Sequence, residues 1–191
     1  MKGFWPLLAG VTLCIGASAL GLVLVPRIQL GDLKPVSGYP KPLSPLAAEG
    51  RRVYVAEGCA ACHTQQLRPI DVAPATNRGW GDRRTVARDY LNDEPHLLGT
   101  MRIGPDLTNI GHRRPEAAWH QLHLFNPRSV VPASTMPAYP ALFEMKENAV
   151  VTGGPPAPPG FHLAPTHEGE ALIAYLLSLD RSTPLPEADA P

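Results

Sequence analysis

Hydrophobic positions run without interruption from Phe4 to Val25, and no charged residue occurs between Gly3 and Val25. At helical rise such a run crosses a hydrocarbon core, for which about 20 apolar residues suffice. It predicts a transmembrane helix, with residues 1–26 as an anchor and Trp5 at one interface. A cleavable signal peptide is the competing reading, because Ala17-Ser18-Ala19 resembles a cleavage site and only Lys2 precedes the apolar stretch. Against cleavage, the uncharged run continues past that triplet through Leu20 to Val25. Cys14 lies mid-run and reads as a small apolar filler.

Beyond Val25 the pattern breaks up. Pro26, Gly31, Pro35, Gly38 and Pro40 punctuate a stretch that reads as a non-helical linker over residues 27–43. Ser44 followed by Pro45 is an N-cap with proline at the first helical position, which predicts a helix over Leu46–Glu57 ended by Gly58. Gly50 and Tyr54 share one face of it, and the glycine there allows another helix, expected near the C-terminus, to cross closely. Periodicity is then lost until about Thr85, with short helices expected over Thr85–Leu91 and Pro115–Leu124, the latter turning Ala118, Trp119, Leu122 and His123 inward. Glu144–Val150 reads as a short charged tail and Val151–Pro165 as a Gly/Pro loop. A closing helix is predicted over Glu168–Leu179, with Leu172, Tyr175, Leu176 and Leu179 on one face. The class is therefore mainly α: one membrane anchor, a helical domain with long loops over residues 44–181, and a tail over residues 182–191.

Composition changes this picture little. The 191 residues carry 17 Lys and Arg against 17 Asp and Glu, so no net field marks a nucleic-acid binder. The 23 prolines and 17 glycines favour short helices joined by ordered loops.

The chemistry centres on Cys59-Ala60-Ala61-Cys62-His63. Two cysteines two residues apart followed at once by histidine form the attachment signature of a c-type haem, with thioethers from Cys59 and Cys62 and His63 delivered to the iron. A zinc site is the alternative, but the remaining cysteine, Cys14, lies far upstream and no second C-x-x-C exists. A dithiol redox pair would call for a βαβ pattern that the flanks lack. Met136, between Thr135 and Pro137 in a non-helical loop, is the expected second axial ligand, because a neutral thioether suits a high-potential haem. Met101, Met145 and the histidines His96, His112, His120, His123, His162 and His167 are its rivals, His120 and His123 foremost. In many c-type cytochromes a Gly-Pro turn faces the ligating histidine. By that likeness the Pro105 carbonyl orients His63, and Arg102 just before it is a candidate partner for a haem propionate. Arg68 is another candidate for a propionate or a subunit contact, while Arg83 and Arg84 read equally well as solvated surface charge.

Three segments, Gly58–Pro69 (GCAACHTQQLRP), Arg102–Gly111 (RIGPDLTNIG) and Trp119–Pro140 (WHQLHLFNPRSVVPASTMPAYP), resemble the mono-haem subunit II of cbb-type cytochrome c oxidases, the C-family of haem-copper oxidases. The single N-terminal anchor and the closing Ala171–Leu176 stretch are similar too. The resemblance implies a cytochrome c-like helical domain with one covalent haem c. It makes Cys59 and Cys62 the tethers, and His63 and Met136 the iron ligands. It implies a non-catalytic, single-pass subunit of the cytoplasmic membrane with the haem domain on the periplasmic side. Electrons would pass from a c-type cytochrome donor, in some complexes a di-haem subunit, to the catalytic haem-copper oxidase subunit. The alternatives are a cytochrome c subunit of a nitric oxide reductase and a free-standing membrane cytochrome. Where the family usually has a longer helical segment, this chain has Val151–Pro165.

Overall fold

The computed structural model describes residues 3–31, 33–69, 78–147 and 161–188. The apolar run forms one helix, α1, over Phe4–Leu30, long and apolar enough to cross a membrane and with none of its apolar stretch buried against the rest of the chain. It continues through Pro26, past the expected start of the linker. Proline cannot donate to the carbonyl four residues back and its ring crowds that carbonyl. The backbone answers with a π-helical turn over Leu20–Leu24, in which Val25 N–H bonds to Leu20 O, and resumes as α-helix over Val25–Leu30.

The globular part is built on two crossing helices, α2 (Pro45–Ala56) and α4 (His167–Ser178), with α3 (Ala117–Phe125) between them in sequence. Ser44 caps α2 by accepting from Ala47 N–H, and Gly58, in the left-handed region at φ 70°, turns the chain out of it. Thr166 caps α4 in the same way through Gly169 N–H, so the helix starts at His167, one residue before the expected Glu168. The predicted inward face of α4 is buried: Leu172, Tyr175 and Leu176, with Leu179 just past the helix, join Tyr54, Ile110, Leu124, Leu142 and Phe143 in one core. Tyr54 and Tyr175 meet edge to face at 5.4 Å. Gly50 sits against the backbone of Ala171 and Leu172, so closely that a Cβ there would overlap the Ala171 carbonyl. Single helical turns at Ile110–Arg113 and Pro127–Val130 and a 3-10 turn at Ala87–Tyr90 complete the helices used below.

Two stretches depart from the sequence reading. The charged tail and the end of the Gly/Pro loop pair as an antiparallel hairpin, β1 (Phe143–Glu147) with β2 (Phe161–Pro165), in the register Phe143 to Pro165 and Met145 to Leu163. The rest of both expected segments, residues 148–160, lies outside the described residues, as do residues 70–77 of the unpatterned loop. Nor are the linker and the C-terminal tail solvated tethers. Tyr39, Leu185 and Ala188 are buried together. Arg83, read as surface charge with even weight, donates to both carboxylate oxygens of Asp89 at 2.9 and 2.7 Å and to Thr183 O at 2.7 Å. Arg84 reaches Ala188 O at 3.0 Å and Glu187 O at 2.6 Å, and Arg88 bridges Glu187 and Lys34 O.

Asp89 is the hub of this clamp, its side chain fully buried and also accepting from the Tyr39 hydroxyl. Burial alone would raise its pKa, but the Arg83 and Tyr39 hydrogen bonds hold it below the ordinary aspartate value of 3.8. A carboxylate with a depressed folded pKa stabilises the fold above its unfolded pKa, and the contribution fades as pH falls toward the folded one. Asp89→Asn is therefore expected to cost about 2 kcal/mol at neutral pH. That penalty should shrink below the ordinary aspartate range. Thermal unfolding of the detergent-solubilised chain across pH checks this, and a pH-independent penalty would contradict it.

Candidate haem site

The functional side chains are brought together by two short segments that hydrogen-bond to each other. Gly104 N–H bonds to Cys62 O at 3.0 Å and Leu107 N–H to Thr64 O at 2.8 Å. Asp106, fully buried, locks the pair: it accepts from the Thr64 hydroxyl, from Gln66 N–H at 3.0 Å and from Thr108 N–H at 2.8 Å. This ladder sets Pro105 O 2.7 Å from His63 Nδ1. A carbonyl can only accept, so the proton sits on Nδ1 and the Nε2 lone pair is left for a metal. Desolvation lowers the His63 pKa below the ordinary histidine value of 6.5 and so favours the neutral ring, partly opposed by the Pro105 bond and by Asp106.

Two glycines make room for this histidine. Gly99, at φ 69°, packs on the His63 carbonyl, and Gly104 lies against the ring, where a Cβ would fall 2.7 Å from Nδ1 and 2.8 Å from Nε2. Only glycine fits both places.

His63 faces a cavity of about 430 Å³, within the range of small-molecule and cofactor sites. Cys59, Cys62, His63, Gly104, Pro105 and Met136 all line it, along with Tyr54, Leu107, Ile110, Leu124, Leu172 and Leu176 from the core. Cys59 and Cys62 are free thiols. Burial first, then Glu57 and Cys62, push the Cys59 thiol up to about 11, unlike the low-pKa thiolate of a redox-active C-x-x-C. Met136 is partly buried on the core, and its loop is turned by its own N–H bonding to Ser134 Oγ at 3.2 Å. Among the described residues, no group of three or more His, Cys, Asp or Glu side chains could hold a bare metal ion. A largely apolar cavity, two free cysteines on its wall, a neutral histidine oriented through Nδ1 and a methionine thioether fit a covalently tethered haem.

The structure does not bring every candidate into the cavity. Arg102 lies outside its lining, donating to Thr64 Oγ1 at 3.1 Å and Gln66 O at 2.7 Å, with its guanidinium 5.7 Å from the Trp80 ring. It therefore braces the Asp106 ladder from behind. Met101 and Met145 are exposed and lie outside the lining of this cavity. His120 lines the cavity but spends Nε2 on Arg114 O at 2.8 Å. His123 also lines it, stacked on Trp119 at 4.7 Å with the planes 9° apart. Desolvation, then His63 and His120, lower its pKa to about 4. Sequence reasoning passed over Arg113 and Arg114, both of which line the cavity. No periodicity marks them, since they sit at the end of a single helical turn.

The profile of one protein family matches residues 5–153, more than half of the chain; its description is "Cytochrome C oxidase, mono-heme subunit/FixO". No curated protein matches the chain significantly.

Proposed function

The chain belongs to the FixO family of mono-haem cytochrome c oxidase subunits, and on that premise we propose that it relays single electrons to the catalytic subunit of a cbb-type haem-copper oxidase. The observation that carries this reading is the shared cavity, in which Cys59, Cys62, His63 and Met136 converge in a chain that also bears an apolar anchor helix. In this reading Cys59 and Cys62 tether one haem c, and His63 and Met136 ligate its iron. When bound, that haem supplies a one-electron couple; everything else is set by the chain. Pro105 O fixes the His63 tautomer and raises the basicity of Nε2. Met136 offers a neutral, soft thioether that favours the reduced iron and so a high potential. The surrounding Leu107, Ile110, Leu124 and Leu172 exclude water, which also disfavours the charged oxidised state.

In the same reading α1 anchors the subunit in the cytoplasmic membrane as a single pass, a role its length and apolar composition support. The haem domain is then on the periplasmic side, where c-type haems are attached. In this reading the donor is a c-type cytochrome, in some complexes a di-haem subunit, and the acceptor is the catalytic haem-copper subunit. The family match favours this reading over a nitric oxide reductase subunit or a free cytochrome.

Met136→Ala tests the ligand assignment. It is expected to abolish the weak absorption band of sulfur-ligated ferric haem and to lower the midpoint potential by on the order of 100 mV, a fraction of the about 0.8 V that axial ligands span. An unchanged spectrum and potential would exclude Met136 as a ligand. Recovery of the chain from gently solubilised native membranes without a copper- and b-haem-containing partner would exclude the relay role.

A further inference from the structure

The cavity has a polar corner that the ligands do not use. No carboxylate and no lysine lines it among the described residues, and its two permanent positive charges are Arg113 and Arg114. Arg113 gives one Nη2 donor to Asp106 O at 2.6 Å, while its Nε is buried without a partner. His123 also lines the cavity, and its Nδ1 is likewise buried without a partner. A buried polar atom left unpaired costs about 1–3 kcal/mol, so two such atoms on residues that line one cavity call for a partner when the cavity is filled. Trp119 holds the corner in shape: it stacks on His123 and carries the Arg114 guanidinium 5.5 Å from its ring centroid.

We propose that Arg113 and His123, backed by Arg114, form a carboxylate subsite that receives the acid side chains of the haem. The proposal rests on the reading of this cavity as a haem site and assigns its polar end. A guanidinium with a free Nε edge offers the planar, charge-assisted donors that a carboxylate accepts best. A neutral imidazole with its proton on Nδ1 can add a second donor. Arg102, the candidate nearest the Gly-Pro turn, is not on the lining and already bonds Thr64 and Gln66. The desolvation that lowers the Arg113 pKa is what an ion-pairing partner would offset.

The test uses the full chain in its native oxidase complex, with the variants Arg113→Gln, Arg113→Lys, His123→Phe and His123→Asn. The readouts are the midpoint potential of the c haem and the redox-induced infrared difference bands of its carboxylates. Removing the charge in Arg113→Gln should lower the potential and shift the carboxylate bands, and Arg113→Lys should restore most of the potential. His123→Phe should shift the bands while His123→Asn, which keeps a donor, shifts them less. Wild-type potential and bands in both Arg113→Gln and His123→Phe would overturn the proposal, the two donors then being met by water. Equal shifts in Arg113→Gln and Arg113→Lys would overturn it as well, since that is repacking and not charge. Should Arg113→Gln fail to accumulate, Arg113→Lys and the two His123 variants carry the same decision. A wild-type chain without covalent haem would instead defeat the parent reading of the cavity, a result seen before any variant is made.

Discussion

Gly50→Ala is expected to destabilise the globular domain by about 3 kcal/mol, the upper end of what overpacking typically costs. In a solvated helix the same change would be favourable, because alanine has the higher helix propensity by about 1 kcal/mol. Here the sign reverses for a geometric reason. A Cβ on Gly50 would overlap the Ala171 carbonyl and come within 2.8 Å of Leu172 N, both backbone atoms of α4. Backbone cannot swing aside as a side chain does, so α2 and α4 must separate. That separation would undo the packing of Tyr54 on Tyr175 and open the core around Leu172 and Leu176, which also line the haem cavity. Thermal unfolding of the purified chain reads the loss directly. A melting temperature equal to or above wild type would show that the two helices tolerate a wider crossing.

That crossing was legible in the sequence because it depends on local signals that agree. Ser44-Pro45 and Gly58 bracket α2, a glycine and an aromatic share one of its faces, and the apolar spacing of α4 supplies the partner surface. The cysteine and histidine motif was legible for the same reason, its residues being adjacent in the chain. What could not be read depends on contacts between distant segments. The alternation of Phe143 and Met145 with Glu144 and Lys146 is a strand pattern, but its partner begins only at Phe161, across a proline-rich stretch. Pro26 read as a helix end because the rule for proline assumes an α-helical turn, and a π-helical turn evades it. Arg83 read equally well as a surface charge because nothing local shows that it pairs with a buried Asp89 beneath Tyr39 and Leu185. Arg102 drew attention by lying next to the Gly-Pro turn, whereas Arg113, which lines the cavity, owes its place to how the 110–113 turn packs.

Gly104→Ala is expected to cost the site its histidine. Unlike Gly58 and Gly99, this glycine has an ordinary backbone conformation that alanine can adopt, so the variant carries no backbone strain. Its Cβ would instead press on the His63 ring, overlapping Cε1 and lying 2.7 Å from Nδ1 and 2.8 Å from Nε2. The ring cannot retreat while Nδ1 stays bonded to Pro105 O, and the ladder through Cys62, Thr64 and Asp106 prevents Pro105 from following it. The expected result is loss of the histidine-ligated spectrum in the variant, with a melting temperature lowered by an overpacking penalty of about 2 kcal/mol. Gly58→Ala separates this effect from generic damage near the motif. Gly58 is left-handed with nothing within 4 Å of its would-be Cβ, so alanine there costs about 1 kcal/mol of backbone strain and leaves His63 untouched. Absorption spectra and redox titration of the two variants side by side distinguish the causes. A wild-type spectrum and potential in Gly104→Ala would mean that the contact between Gly104 and the imidazole places no constraint on His63.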